Sequence, residues 1–174
     1  MKVLLLGCSG FVGRDLVPYL LDLGHQITLV SRRESPLPIP AGERLVFLRL
    51  DPSDPASWQQ EALRQALAAA EGVVNLAGEP IAEKRWTEPH QRLLMDSRVR
   101  TTASLVAAMA PLRQPPRVLV QASAVGYYGT SEVGVFREDS PPGSDFLAQV
   151  CQRDRKSTRL NSSHSSVSRM PSSA

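Results

Sequence analysis

Met1 to Arg33 reads MKVLLLGCSGFVGRDLVPYLLDLGHQITLVSRR. Lys2 to Leu6 is a short apolar run of the kind that forms a buried parallel strand. Gly7, Gly10 and Gly13 follow directly as GxxGxxG. Phe11, Val12, Leu16, Leu20 and Leu23 then recur at helical spacing, and Gly24 stands where a helix C-terminus favours glycine. His25 to Val30 reads as a second strand. Strand, glycine loop, helix and strand within about 30 residues make a βαβ unit suited to a dinucleotide. The glycines permit a tight turn and let a pyrophosphate approach the backbone. The helix N-terminus meets that anion with free N–H donors and the positive end of its dipole. A glycine-rich turn without a ligand is the alternative, and the order of the flanking elements argues against it.

The end of the second strand bears on which dinucleotide is held. A site for NAD usually places Asp or Glu there to bind the ribose 2′-hydroxyl. Here the strand ends Leu29-Val30-Ser31-Arg32-Arg33, and no acid occurs before Glu34. Ser31 and Arg32 offer a hydroxyl and a guanidinium, the groups that suit a 2′-phosphate. NADP is therefore the expected cofactor. The bland alternative is a pair of solvated arginines on a loop, and Arg33 fits that description.

Outward from this unit, apolar runs and helical patterns alternate. Ser35 to Gly42 is proline-rich and reads as a loop. Leu45 to Leu50 is a third strand ending at Asp51, and Ser53 or Asp54 can cap a helix running to about Ala70. Gly72 to Leu76 is a fourth strand, Asp96 to Ala110 a helix, and Arg117 to Ala122 a fifth strand ending at Ser123. This alternation predicts an α/β fold, a Rossmann-type doubly wound parallel sheet with helices on both faces. About five strands in the order 3-2-1-4-5 are expected, an incomplete sheet whose fifth strand, Val118 to Gln121, is an open edge.

The chain has 174 residues and a formal net charge of +3. Residues 1–153 hold 16 Lys/Arg and 16 Asp/Glu, so the excess lies wholly in the last 21 residues. The body has no basic stripe for nucleic acid. No run of apolar residues is long enough to span a membrane. The apolar start is too short for a signal peptide and ends in the glycine loop. Two cysteines, Cys8 and Cys151, make no disulfide framework, which suits a reducing, cytoplasmic setting. His25 and His90 form no metal pair, and no metal site is expected. From Ser157 onward, 8 of 18 residues are serine and none is aromatic. Such a segment buries too little apolar surface to offset the entropy of ordering it. The string DRKSTRLNSSH, Asp154 to His164, is similar to a common sequencing adapter translated in frame. On that reading the natural protein is cut at about Arg153. The alternative is an ordinary disordered or interaction tail. Residues 1–153 are thus expected to form the dinucleotide-binding domain and 154–174 a disordered tail.

GCSGFVG, LVSRR, VVNLAGEPI, KRW (Lys84 to Trp86), DSRVRTT (Asp96 to Thr102) and ASAVGYYG (Ala122 to Gly129) together resemble the short-chain dehydrogenase/reductase superfamily. The resemblance is to its atypical, NAD-dependent epimerase/dehydratase-like branch and covers residues 1 to about 153. It implies a cofactor site made by Gly7, Gly10, Phe11, Val12 and Gly13, with Ser31 and Arg32 on the adenosine phosphate. It also implies that Leu76, Ala77 and Gly78 line the cofactor, that Arg98 points towards it, and that Asp51 lies where relatives contact adenine. Complete members carry a C-terminal part that binds substrate, which this chain lacks.

Relatives with known chemistry use Ser or Thr after the fifth strand and Tyr-x-x-x-Lys on the next helix. The tyrosine transfers a proton; the lysine lowers its pKa and holds the nicotinamide ribose. Ser123 matches the hydroxyl. The pair itself is absent: none of Tyr19, Tyr127 and Tyr128 has a lysine four residues on. The segment where it should fall reads DFLAQVC, so Phe146 or Leu147 replaces the tyrosine and Val150 or Cys151 the lysine. Tyr127 or Tyr128 is a substitute proton donor or merely packs a loop. Cys8 is a thiol activated by the helix end or a small loop filler. Trp86 either covers a substrate or anchors a long loop. Two functions remain open. One is an NADP(H)-dependent epimerase or oxidoreductase acting on a small or sugar-nucleotide-like substrate. The other is a non-enzymatic NADP-binding protein, structural or redox-sensing.

Overall fold

The alternation of side chains along the first strand, β1 (Lys2–Leu6), decides the two faces of the sheet. In the computed structural model, which describes residues 1–33, 37–159 and 167–168, Leu4 and Leu6 join a cluster with Val30, Leu63, Leu67 and Leu105. Val3 and Leu5 point the other way, into a cluster with Val17, Ile27, Leu29 and Leu45. Both faces are covered, so nothing in β1 after Lys2 meets solvent, and a continuous apolar run is what such a strand requires.

The remaining elements follow in alternation. Helix α1 (Phe11–Asp22) leads to β2 (Gln26–Ser31), and a loop leads to β3 (Leu45–Arg49). A 3-10 turn (Pro55–Gln59) and α2 (Glu61–Ala69) precede β4 (Gly72–Asn75). Helix α3 (Glu88–Met109) leads to β5 (Val118–Gln121). A second 3-10 turn (Val125–Tyr128) and a long loop lead to α4 (Phe146–Arg159). All strand pairs are parallel, and the five strands lie in the order 3-2-1-4-5. This is the doubly wound Rossmann arrangement the alternation predicts.

Three local expectations are revised. A two-residue strand, β6 (Val167–Ser168), pairs with β5, setting Val167 opposite Leu119 and Ser168 opposite Val120, so this edge is not open. Unpaired ladder groups accept any backbone within reach, whatever its side chains. Helix α4 runs through Arg153. Val150 and Asp154 are four residues apart on one helix face, and both are buried. Residues 160–166 and 169–174, on which the rest of the expected tail falls, lie outside the described residues. The helix expected from Ser53 or Asp54 is broken: Asp54 caps only the 3-10 turn, accepting the Ala56 N–H at 2.9 Å. That turn buries Trp58, whose indole N–H donates to the Pro52 carbonyl at 2.9 Å. Finally, α3 begins eight residues before Asp96, because Pro89 and Glu88 suit a first helical turn.

The loop between β1 and α1 is held by close backbone contact. Gly7 adopts φ +72°, and a Cβ there would lie 2.4 Å from the Cα of Ala77. A Cβ at Gly13 would lie 2.0 Å from the carbonyl oxygen of Cys8, whereas at Gly10 it would meet nothing within 4 Å. Gly13→Ala should therefore cost about 1–3 kcal/mol or more in a urea melt of the chain. Gly10→Ala should stay within about 1 kcal/mol of the parent. Equal stability of all three proteins would show that α1 does not pack on the loop as described.

Candidate functional site

The carboxyl ends of the strands form one rim, and α1 points its N-terminus at it. Its N-cap, Gly10, offers no side chain, and the first turn holds no acid. The first intrahelical bond runs from the Arg14 N–H to the Gly10 carbonyl at 3.2 Å. The N–H groups of Phe11, Val12 and Gly13 thus precede the helical ladder, as at any helix start. Phe11 and Gly10 are exposed, Gly13 is buried, and the space beside Gly10 is open. Such an end attracts an anion. Cys8 is wholly buried below the loop. Burial pushes its thiol up to about 12, and its Sγ faces the Leu6 carbonyl at 3.7 Å. It fills the loop and is not an activated nucleophile.

On one side of α1 stand the ends of β2 and β3. Ser31 is buried and its hydroxyl accepts the Arg33 N–H at 3.1 Å. Arg32 reaches out and donates from Nη2 to Glu79 Oε2 at 3.3 Å. Asp51 follows β3 beside Ser31, and its carboxylate accepts the N–H and hydroxyl of Ser53 at 2.9 and 2.7 Å.

On the other side stand the ends of β4 and β5. The Leu76 N–H donates to the Leu6 carbonyl at 2.9 Å, and the Ala77 N–H to Asn75 Oδ1 at 3.1 Å. Gly78 packs on the guanidinium of Arg98, where a Cβ would fall 2.7 Å from Cζ. Burial lowers the pKa of Arg98, which donates to the Leu94 carbonyl at 3.2 Å. Leu76, Ala77, Arg98, Ser123, Leu147 and Cys151 line a cleft of about 320 Å³. The Ser123 hydroxyl accepts from Arg155 Nε at 3.2 Å. The Arg155 guanidinium lies 3.8 Å over the Tyr127 ring, which meets Tyr128 edge-on at 5.1 Å. Tyr127 is thereby tied to Ser123 through Arg155, and its ring is packed among neighbours.

Leu147 and Cys151, one helical turn apart, face the cleft from α4. Phe146 instead meets Trp86 edge-on at 5.7 Å. The Trp86 indole N–H donates to the Ile81 carbonyl at 2.8 Å, so Trp86 anchors its loop. A polar network that reaches the cleft wall, where Gln121 and Asp154 line it, escaped the sequence reading. Asn75 Nδ2 donates to Gln121 Oε1 at 2.9 Å, and Gln121 Nε2 donates to Asp154 Oδ2 at 3.0 Å. Thr102 Oγ1 donates to the other Asp154 oxygen at 2.5 Å. Burial raises the Asp154 pKa despite these donors, and it raises that of Cys151. The available signal was a polar residue closing each apolar strand, Asn75 after Val73-Val74 and Gln121 after Leu119-Val120. Among the described residues no group of three or more His, Cys, Asp or Glu is placed to hold a metal. None of the described helices is long and apolar enough to cross a membrane.

The family model described as NAD dependent epimerase/dehydratase family matches residues 3–152. The chain belongs to this family. Epimerase family protein SDR39U1 homolog, chloroplastic, of Arabidopsis thaliana is 38% identical over 154 residues, covering 87% of this chain and 42% of that protein. The Homo sapiens epimerase family protein SDR39U1 is 34% identical over 163 residues, covering 92% of this chain and 50% of its own length. The crystal structure of human SDR39U1 (isoform2) with NADPH superimposes with a TM-score of 0.74 at 30% identity, covering 97% of this chain and 52% of that one. The chain therefore spans about half the length of these family members.

The open side of Gly10 makes the family loop testable apart from the fold. Gly10→Val should abolish NADPH binding, measured by calorimetric titration, while circular dichroism stays near that of the parent. Undiminished binding would show that the pyrophosphate does not approach this turn.

Proposed function

We propose that this chain is the dinucleotide-binding part of an NADP(H)-dependent epimerase or oxidoreductase acting on a small or sugar-nucleotide-like substrate. The observation that carries the cofactor reading is the uncapped α1 N-terminus, open beside Gly10, with Arg32 at the end of the adjacent strand. Residues 1–153 supply this unit. Gly7, Gly10, Phe11, Val12 and Gly13 seat the pyrophosphate, Ser31 and Arg32 hold the 2′-phosphate, and Asp51 lies toward adenine. Leu76, Ala77, Gly78 and Arg98 line the nicotinamide side, where Ser123 offers its hydroxyl, with Tyr127 as a second. When bound, the nicotinamide accepts or supplies a hydride; the chain's own residues orient it and exclude water from the cleft. The NADPH of the human relative's structure supports this choice of cofactor. Two free thiols suit a reducing compartment, and we place the protein in the cytoplasm.

One observation favours a second reading, a non-enzymatic NADP-binding protein. Leu147, Val150 and Cys151 face the cleft from α4, and the family resemblance expects the tyrosine at 146 or 147 and its lysine at 150 or 151. Neither a leucine nor a thiol whose pKa is raised by burial replaces that pair. Turnover of a sugar nucleotide by the whole protein separates the two readings.

The cofactor preference is tested at Arg32. Losing a charge-assisted contact costs about 1.5–3 kcal/mol, so Arg32→Ala should weaken NADPH about tenfold to a hundredfold. NADH binding should hardly change. Equal losses for both cofactors in a fluorescence titration would show that Arg32 does not read the phosphate.

A further inference from the structure

Arg32 is not free at the rim. It belongs to the end of β2, while its partner Glu79 belongs to the loop after β4. Between these two strands lies β1, for Leu6 is opposite Val30 on one side and Asn75 on the other. Adjacent strands are about 4.8 Å apart, so the Arg32–Glu79 pair spans roughly 10 Å across the end of β1. It crosses the strand end from which the glycine loop departs.

The two partners are held unequally. The Glu79 side chain is 12% exposed and that of Arg32 61%. The Glu79 N–H donates to Ser97 Oγ at 2.9 Å, which fixes its backbone to α3. Gly78 before it is packed on Arg98. Lys84 Nζ lies 3.9 Å from the other Glu79 oxygen, so the carboxylate keeps a cation when Arg32 leaves. Among the described residues Arg32 has a single 3.3 Å contact, and its side chain is mostly exposed.

We infer that Glu79 is a specificity-determining residue, which competes with a cofactor's 2′-phosphate for Arg32 and so limits the preference for NADP(H). A doubly charged phosphate is the stronger partner because it carries the larger charge and can take the guanidinium fork bidentately, where Glu79 makes one 3.3 Å contact. It must still displace Glu79 and sit near a fixed negative charge. A 2′-hydroxyl does neither, so the cost falls on the phosphorylated dinucleotide alone. Specificity is a difference of affinities, and a built-in competitor lowers it from one side. This inference rests on the reading of Arg32 as the phosphate ligand.

Glu79→Gln tests it, since the amide keeps the shape and removes the charge. NADPH and NADH are titrated against the parent chain, Glu79→Gln and Arg32→Ala, with a thermal melt of each. NADPH should bind Glu79→Gln about threefold to fivefold more tightly, NADH within error of the parent, and the melts should coincide. If Arg32→Ala leaves NADPH unchanged, or if neither nucleotide binds the parent chain, the phosphate reading itself fails. If Arg32→Ala weakens NADPH but Glu79→Gln leaves it unchanged or weakens it, competition is overturned and Arg32 keeps its role. Equal tightening of NADH would also overturn it, because the effect would then be general charge.

Discussion

Three backbones meet at the end of β1 at distances that tolerate no side chain. Gly7 faces the backbone of Ala77, and Gly13 faces that of Cys8. The first contact ties the glycine loop to the end of β4, and the second presses α1 onto the loop. Gly7 also needs the positive φ that L side chains rarely adopt. With these contacts made, the axis of α1 aims at the rim, and its positive end has one place to point. Gly10, between them, is glycine for a different reason. Among the described residues nothing lies within 4 Å of a Cβ placed there, so the space beside it is open. Two structural glycines and one vacant one are the division that an anion cradle requires.

Charge around that cradle is arranged to leave it positive. No acid stands in the first turn of α1, and no side chain caps it. Two described acids at the rim have partners of their own. Asp51 closes its own turn on Ser53, and Glu79 is shared between Arg32 and Lys84. The helix end is thus the group left without a counter-charge from its own first turn, while the flanking cation is held in reserve by an exchangeable partner.

The parts legible in the sequence are those where one local signal suffices. β1 and α1 could be read because the apolar run, the glycines and the helical repeat are contiguous. The five-strand order followed from alternation and the right-handed crossover. Legibility stopped where tertiary packing overrides local pattern. Asp54 signals a helix, but burying Trp58 breaks the segment into a 3-10 turn and a separate helix. The early start of α3 lay in Thr87-Glu88-Pro89, a first-turn signal masked by the polar residues that follow. Arg32 was legible as a cation, but Glu79 was not legible as its partner. The two are 47 residues apart, and only the strand order brings them together. The Asn75–Gln121–Asp154 network was hidden for the same reason.

Holding a dinucleotide and moving a proton are separable tasks, and this chain divides them along its length. On the proposed function the holding parts come from β1, α1, the ends of β2, β3 and β4 and Arg98 of α3, all within the first hundred residues. The proton-moving parts would come from the end of β5 and from α4. There the chain keeps a hydroxyl, Ser123, but presents Leu147 and Cys151 in place of an acid and its activating cation. An alkyl group carries no proton, and a thiol with its pKa raised by burial is a poor base near neutral pH. The side chains now touching Ser123 and Tyr127 do not restore the relay. A guanidinium offers donors and no acceptor, so Arg155 can orient a hydroxyl or stabilise an anion. One carboxyl does line the cleft: Asp154, whose pKa burial raises, and its two oxygens already accept hydrogen bonds from Thr102 and Gln121.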